Sequence, residues 1–348
     1  MAKILVTGGT GYIGSHTVVE LQTAGYEVVI ADNLSNSNIQ VVDRIEKITG
    51  VRPAFENINC SDYEAMDKLF KRHCNDKQDN IKAIIHFAAS KAVGESVEKP
   101  LLYYRNNLGS LMNLLELMLI NNVRNIVFSS SCTVYGQPDI LPVTESAPVK
   151  KPLSPYGNTK KIGEEIIKDT IYANQEYKGI ILRYFNPIGA HPSAEIGELP
   201  NGIPNNLLPF VAQTAVGLRK QLQVYGDDYT TPDGSCIRDY INVVDLARAH
   251  VLAVQRILGA ENKSPIEIFN LGTGRGLSVL EIIKTFEQVT GVKVPYKVVG
   301  RREGDIEQVW ADPTYANNVL GWMAAETVED TLLSAWNWEL KLKSNQNR

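Results

Sequence analysis

With 348 residues, 44% of them hydrophobic and 21% charged, the chain has the composition of an ordinary globular protein with one large domain or two closely associated ones. Its formal net charge of −4 argues against nucleic acid as a partner, because phosphate backbones are bound by basic surfaces. Four widely spaced cysteines and five histidines without a metal-ligand spacing predict neither a disulfide framework nor a metal site. The sequence shows no long apolar run and no signal-peptide pattern, so we expect a cytoplasmic protein without a membrane partner.

The first 185 residues alternate between strand and helix patterns. The apolar run KILVTGG predicts a buried parallel strand, and the helix that follows it is expected to end at Gly25. Further strands are predicted for YEVVIAD, KAIIHFAA, NIVFSSS and GIILRYFN. This alternation predicts an α/β fold, a doubly wound parallel sheet of the Rossmann type, as one domain over residues 1–185.

The second half of the chain differs from the first in composition and in its pattern of predicted elements. The segment NPIGAHPSAEIGELPNGIPNN is rich in Pro, Gly and Asn, which predicts a long irregular connection that covers a ligand. Helices around 206–220, 244–258, 278–290 and 327–342 predict a smaller α/β substrate lobe over residues 186–348. Some of its segments, such as 238–258, are expected to pack back on the first domain. Ser278 and Glu281 have capping-box spacing, so NLGTGRGLSV is interpreted as a structural turn and not as a second nucleotide site.

A glycine pattern opens the first predicted helix. Gly8, Gly11 and Gly14 follow the first strand, where a tight turn lets backbone amides approach a diphosphate. Asp32 ends the second predicted strand, the place at which an acid binds the ribose hydroxyls of adenosine. Because its carboxylate would repel a 2′-phosphate, the predicted cofactor is NAD and not NADP.

The candidate catalytic residues lie in SPYGNTK and at the end of IVFSSS. Ser154 and Pro155 predict the start of a helix, which places Tyr156 and Lys160 one turn apart on one face. An ammonium group beside a phenol is expected to lower the pKa of the phenol and to make it usable as a base. Ser131, at the carboxyl end of its strand, can orient a substrate alcohol beside Tyr156. Together these residues predict oxidation of an alcohol by hydride transfer to a nicotinamide.

Motifs along nearly the whole chain resemble those of the UDP-galactose (UDP-glucose) 4-epimerases. The resemblance implies that UDP-galactose and UDP-glucose are interconverted through a 4-keto intermediate with bound NAD, and that the protein is a homodimer. It assigns Tyr156 as the proton acceptor, Lys160 as its electrostatic partner and Ser131 as the substrate-orienting hydroxyl. The segments that carry it are VTGGTGYIGSHTV, HFAASKAVGESVEKPLLYYRNN, FSSSCTVYGQP, LRYFNPIGAHPS, GIPNNLLP, DGSCIRDYI and RREGD.

The same resemblance implies two sets of binding residues. The set expected to contact NAD is Gly8, Gly11, Tyr12, Ile13, Gly14, Asp32, Asn33, Leu34, Ser35, Asn36, Ser37, Asn59, Cys60, Phe87, Ala88, Ala89, Ser90, Lys91, Asn106, Ser131, Tyr156, Lys160, Tyr184 and Phe185. The set expected to contact the UDP-sugar is Ser131, Tyr156, Asn186, Asn206, Leu207, Gln223, Val224, Tyr225, Arg238, Arg302, Asp305 and Val309.

Three positions depart from the family pattern. Asn59, followed by Cys60, stands where relatives often place an acid against the adenine, and Ser90 replaces the usual leucine. Val309 occupies the position at which a bulky tyrosine excludes N-acetylated sugars. Its smaller side chain leaves the interconversion of UDP-GlcNAc and UDP-GalNAc as an alternative.

Other functions are weighed against the same residues. A 4,6-dehydratase needs an adjacent Asp–Glu pair, whereas Ser131 is followed by Cys132 and Thr133. A dehydrogenase would release NADH in stoichiometric amounts, and an NAD-sensing regulator would not need the Tyr156–Lys160 pair. The candidate dimer surface is the helical face around Leu101 to Met118, with the helix after Tyr156.

Overall fold

The computed structural model describes residues 1–74, 80–302 and 305–346. Its strands are β1 (Lys3–Thr7), β2 (Glu27–Asp32), β3 (Ala54–Asn57), β4 (Ile81–His86), β5 (Asn125–Ser131), β6 (Lys178–Tyr184), β7 (Asn186–Ile188), β8 (Leu222–Tyr225), β9 (Ile237–Asn242), β10 (Ile266–Leu271), β11 (Gly276–Ser278), β12 (Tyr296–Val299) and β13 (Gln308–Val309). Its α-helices are α1 (Tyr12–Thr23), α2 (Gln40–Thr49), α3 (Tyr63–His73), α4 (Val93–Glu98), α5 (Pro100–Tyr103), α6 (Gly109–Ile120), α7 (Pro155–Ala173), α8 (Leu207–Ala215), α9 (Val243–Leu258), α10 (Val279–Thr290) and α11 (Val328–Gln346). Short helical turns lie at Tyr104–Leu108, Cys132–Tyr135 and Ala316–Leu320.

Seven parallel strands form the central sheet, in the order β10-β6-β5-β4-β1-β2-β3. The chain runs outward from β1 in one direction and from β4 in the other, so the two halves of the sheet diverge between these strands. Ligands of such sheets bind beyond the carboxyl ends of the strands at this switch point. The prediction of a doubly wound parallel sheet is confirmed.

Alternating side chains of the central strands pack on opposite faces of this sheet. Ile4 and Val6 of β1 join the apolar cluster beneath α1 and α9, whereas Leu5 joins the cluster beneath α3 and α6. All three side chains are fully buried. Because both faces of the sheet are covered by helices, only its edges and strand ends are left to meet a ligand.

The smaller lobe is built around β9. This strand pairs with β7 and β13 in parallel and with β11 in antiparallel, and β8 pairs separately with β12. Its core lies between α8, α10 and α11, with Leu208, Ile283 and Leu332 among the buried residues. The lobe therefore has its own apolar core beside the large sheet.

The predicted helix ends match the local chemistry of the chain. Gly25 lies just past α1 with φ +83°, and Ser154 caps α7, whose first residue is Pro155. Ser278 and Glu281 form the predicted capping box of α10. The helix expected over 206–220 is shorter, Leu207–Ala215, because Gly217 adopts φ +86° and turns the chain away.

Two elements from the second half of the chain complete the first sheet. Strand β10 pairs with β6 along its whole length, and α9 packs against α1. The position of α9 fits the expectation that residues near 238–258 pack back on the first lobe. The domain boundary after residue 185 stays a prediction. Among the described residues, no helix is long and apolar enough to cross a membrane.

Candidate active site

The glycine turn after β1 leaves no room for side chains. Gly8 adopts φ +72°, and a Cβ there would lie 2.8 Å from the backbone nitrogen of Ala88. A Cβ on Gly14 would lie 2.2 Å from the carbonyl oxygen of Gly8. The helix therefore starts against the turn with its first amides facing the sheet edge, which is the cradle that a dinucleotide diphosphate requires.

Asp32 is held rigidly at the end of β2. Its carboxylate is 8% exposed and accepts hydrogen bonds from the Thr10 amide at 3.1 Å and the Leu34 amide at 2.9 Å. The Ser37 hydroxyl donates to it at 3.2 Å. Leu34 takes up the left-handed conformation, φ +57°, as the loop 33–37 wraps around the carboxylate. An acid fixed in this place fits the ribose hydroxyls of NAD.

The end of β4 supplies a second wall of the same cleft. The Ser90 amide donates to the Asn107 side chain at 2.8 Å, and the Asn106 amide group donates to the Ser90 hydroxyl at 3.0 Å. Ser90, which departs from the family pattern, thus holds the predicted cofactor residue Asn106 in place. Asn107 also donates to the Thr159 hydroxyl at 3.0 Å on α7. Sequence reasoning missed Asn107, because its partner lies 52 residues away.

Ser131, Tyr156 and Lys160 come together at the end of β5. Ser131 is the last residue of the strand, and its side chain lies near enough to the Tyr156 phenol to oppose the rise in the pKa of that group. The Lys160 ammonium lies 6.0 Å from the centre of the Tyr156 ring and donates to the Ser129 carbonyl at 2.6 Å. Tyr184 hydrogen-bonds with Ser129 from β6. The structure therefore juxtaposes the three predicted catalytic residues beside the glycine turn.

The prediction that the pKa of the Tyr156 phenol is lowered is wrong: among the described residues this pKa is raised. Burial raises the pKa of Tyr156, and the nearby Cys132 thiol raises it further. Burial also lowers the pKa of Lys160 to about 7, although the Glu164 carboxylate opposes this shift. The reason is desolvation: Lys160 is buried and Tyr156 is half-buried, and burial disfavours the charged form of each group.

The residue after Ser131 has no acid function. Burial raises the pKa of the Cys132 thiol to about 12, so it remains protonated at neutral pH. Thr133 follows it and packs beneath Gly157. The adjacent carboxylate pair that elimination of water requires is thus replaced by a protonated thiol and a hydroxyl.

Charged residues of the smaller lobe form a cluster that shares one carboxylate. Arg302 donates to Asp305 at 2.6 Å, and the Arg238 guanidinium lies 3.9 Å from the same oxygen. The Arg302 guanidinium also lies 5.6 Å from the centre of the Tyr225 ring, at the end of β8. Two arginines placed in this way can clamp a diphosphate with charge-assisted hydrogen bonds.

Glu198, which sequence reasoning did not single out, joins the two sets of predicted binding residues. Its carboxylate accepts from the Asn206 side chain at 2.6 Å and lies 3.3 Å from the Lys91 ammonium. Its carbonyl accepts from the Trp338 indole at 3.1 Å. A lone acid in an irregular connection carries no sequence signal, so only the folded structure shows this link.

Several predicted contact residues use their side chains within the protein. The Tyr12 hydroxyl donates to the Gly189 carbonyl at 2.7 Å, and Cys60 is buried in the core. Asn59 accepts from the Ser61 amide at 3.1 Å. Val309 is 2% exposed and packs in the apolar cluster that also contains Phe185 and Cys132. Their predicted contacts with ligands stay predictions.

A dinucleotide cradle and a Ser–Tyr–Lys constellation at one sheet edge define an NAD-dependent enzyme of the extended short-chain dehydrogenase type. The model of the family described as GDP-mannose 4,6 dehydratase matches residues 5–334. The UDP-glucose 4-epimerase of Bacillus subtilis (strain 168) is 51% identical over 336 residues, 97% of this chain and 96% of that protein. The UDP-glucose 4-epimerase of Mus musculus is 48% identical over 345 residues, 97% of both proteins. The chain belongs to the UDP-glucose 4-epimerase family.

Solved structures agree with this assignment. The UDP-glucose 4-epimerase from Bifidobacterium longum, in complex with NAD⁺ and UDP, is 46% identical and superposes with a TM-score of 0.92. The alignment covers 98% of both chains. The likeness extends over both lobes, so the smaller lobe is shared together with the sheet.

Proposed function

We propose that the chain interconverts UDP-galactose and UDP-glucose by inverting carbon 4 of the sugar, with bound NAD as its cofactor. The observation that carries the proposal is the contact between Ser131 and Tyr156, with Lys160 one turn further along α7, beside the glycine cradle. The relatives that share about half of their residues with this chain are UDP-glucose 4-epimerases, so N-acetylated sugars are not favoured as the principal substrates.

The chain's own residues handle the proton of the reaction. Tyr156 takes the proton of the sugar 4-hydroxyl, which Ser131 orients by a hydrogen bond. Lys160 places its ammonium beside Tyr156, and in the proposed reaction this positive charge favours the phenolate against the burial that disfavours it. Bound NAD supplies the acceptor, and later the donor, of the hydride at carbon 4. The 4-keto sugar then presents its other face, and Tyr156 gives the proton back.

The remaining predicted residues hold the nucleotide. Arg238 and Arg302 bind the diphosphate, and Asp305 accepts from ribose hydroxyls. Asn206 begins α8, where its side chain is already oriented by Glu198. Binding by the remote UDP group lets the sugar ring turn between the two hydride transfers without leaving the site.

We also propose that the protein is a homodimer. The helical face from Leu101 to Met118 exposes Leu101, Leu102 and Met112 to 65%, 49% and 50%. Exposed apolar side chains on these two neighbouring helices favour burial against a second copy. The cytosol is the proposed compartment, because all four cysteines are free thiols.

The test is turnover of UDP-galactose by the purified protein with no NAD added, read as UDP-glucose. Product formation without accumulation of NADH supports an epimerase that retains its cofactor. Stoichiometric NADH would instead identify a dehydrogenase. A folded, NAD-loaded protein that forms no product from UDP-galactose would contradict the proposal.

A further inference from the structure

A buried carboxylate lies one helical turn beyond Lys160. Glu164 on α7 is 2% exposed and accepts from the Ser130 hydroxyl at 2.6 Å. Arg183 of β6 donates to it twice, through Nε at 2.8 Å and Nη2 at 2.5 Å. Every one of these hydrogen bonds involves a charged group in a dry interior, so they fix the positions of three elements strongly.

The network continues away from the reacting atoms. Arg183 donates to the Tyr135 hydroxyl at 3.0 Å, and Tyr135 donates to Asn270 of β10 at 2.7 Å. The charge of Glu164 is therefore compensated by Arg183 and also by the Lys168 ammonium, which lies 3.5 Å away and one turn further along α7. Replacing both partners of such a buried ion pair is often neutral for stability, whereas removing one partner leaves an uncompensated buried charge.

Three consecutive serines of β5 connect this network to the site. The Ser129 carbonyl accepts from Lys160, the Ser130 hydroxyl donates to Glu164, and the Ser131 side chain lies beside the Tyr156 phenol. Helix α7 is thus joined to the end of β5 at three successive points. Displacement of Glu164 would move Lys160 and Tyr156 relative to Ser131.

Charge connects Glu164 to Lys160 as well. The charged and titratable groups that face Lys160 and its partners are Tyr156, Glu164 and Lys168 from α7, His86 from β4, Cys132 from the turn after β5, and Tyr184 and Arg183 from β6. From β5 itself, Lys160 meets the Ser129 carbonyl and the ring of Phe128. Among these groups Glu164 is the one whose charge supports the ammonium form.

We propose that Glu164 is a positioning residue for the reaction, which through its hydrogen bonds to Ser130 and Arg183 holds α7 in register with the end of β5. Its charge also supports the ammonium form of Lys160. The inference rests on the proposed role of the Tyr156–Lys160 pair and extends it to a residue that does not touch the substrate.

The test compares Glu164→Gln with a matched variant of another buried pair. Glu267 of β10 is 4% exposed and binds Arg256 at 2.6 and 2.9 Å. It is in register with Ile180 of β6 and Val127 of β5, toward the amino ends of the strands and away from Ser131. Both variants remove one carboxylate charge from a buried arginine, so both are expected to lower the melting temperature. Turnover of UDP-galactose is measured for each against pH.

For Glu164→Gln we expect the alkaline limb of the plot of kcat against pH to move to lower pH by about one unit. The reason is that the variant lacks the carboxylate charge that keeps Lys160 protonated. The loss of rate is about tenfold at pH 8 and is largely recovered at pH 6. Glu267→Gln keeps the limb of the wild type. A Glu164→Gln profile with an unmoved limb would overturn the proposal.

If Glu164→Gln does not fold, Glu164→Gln/Arg183→Gln removes both charges and leaves neither unpaired. The limb is expected to move in the same direction. Failure of both chains to fold would make Glu164 a structural residue and would equally overturn the proposal. A wild-type protein that forms no UDP-glucose would instead contradict the proposed function, so the two failures are distinguishable.

Discussion

The cofactor cleft and the charged cluster of the smaller lobe are prepared for their ligands in opposite ways. Around Asp32 and Ser131, buried groups are fixed by backbone amides and neighbouring hydroxyls. Around Asp305, the arginines are held by an acid, and the Arg302 side chain is 56% exposed. A rigid buried cleft binds a ligand that matches its shape. In the charged cluster, the arginines already pair with the Asp305 carboxylate, and a diphosphate binds by replacing this anion. Variants should therefore disturb the chemistry or the retention of the cofactor in the first region, and the affinity for UDP in the second.

The largest effect is expected for Tyr156→Phe. Loss of the phenol removes the proposed base, and turnover should fall about a thousandfold, or about 4 kcal/mol in activation free energy. The melting temperature and the retained NAD should change little, because the ring remains. Tyr177→Phe is the control, because the Tyr177 hydroxyl donates to the Leu119 carbonyl at 3.4 Å, away from the site. A Tyr156→Phe protein with near wild-type turnover would disprove the assignment of the base.

The next largest effect is expected for Gly14→Ala. The new methyl group would meet the Gly8 carbonyl at 2.2 Å, so the helix must shift away from the turn. We expect a loss of about 2–4 kcal/mol in the free energy of unfolding and release of NAD on gel filtration. Gly94→Ala, at a helical position with open space around it, should be neutral or slightly stabilising. Equal behaviour of the two variants would contradict a tightly closed glycine cradle.

A smaller effect is expected in the charged cluster. Arg302→Gln should weaken UDP binding by about tenfold, or about 1.4 kcal/mol, with kcat changed less than KM. Arg301→Gln is the matched control, because the Arg301 guanidinium binds Asp228 at 2.8 Å instead of Asp305. Calorimetric titration with UDP compares the two. Similar affinities for both variants would show that Arg302 does not clamp the diphosphate.

An effect that is absent at neutral pH is expected in the response of the cofactor lobe to acid. Burial lowers the pKa of His16 to about 3, so below about pH 6.5 the unfolded chain binds a proton that the folded chain does not. Stability is therefore full above pH 6.5 and falls toward pH 3. When the free energy of unfolding is plotted against pH, His16→Gln should reduce the slope near pH 5 by about 1.4 kcal/mol per pH unit. Denaturant titrations at several pH values measure this slope. The same slope for both proteins would show that His16 is protonated in the folded protein.

The sequence predicted the parts of the site whose partners lie nearby in the chain. Gly8, Asp32 and Ser131 each follow or end a strand, so strand patterns alone are enough to place them at the sheet edge. Lys160 was placed on the correct helix face by its spacing from Tyr156.

What could not be predicted depends on distant contacts and on burial. Asn107 and Glu198 act through partners far along the chain, and neither residue type nor spacing marks them. The pKa of Tyr156 was expected to fall, because spacing shows the nearby ammonium but not the enclosure that outweighs it. Sequence patterns therefore identified the reacting groups and missed the environment that sets their protonation.

The pairing of β10 with β6 has a consequence for the newborn chain. During synthesis, β6 is made about 80 residues before β10, an interval of roughly 4 to 16 seconds at ordinary elongation rates. Through this interval the backbone groups of β6 that later bind β10 form an unpaired edge, the kind of surface at which nascent chains aggregate. Strand β10 therefore completes the central sheet late in synthesis. The nucleotide-binding half of the protein is finished only after more than half of the other lobe has been made.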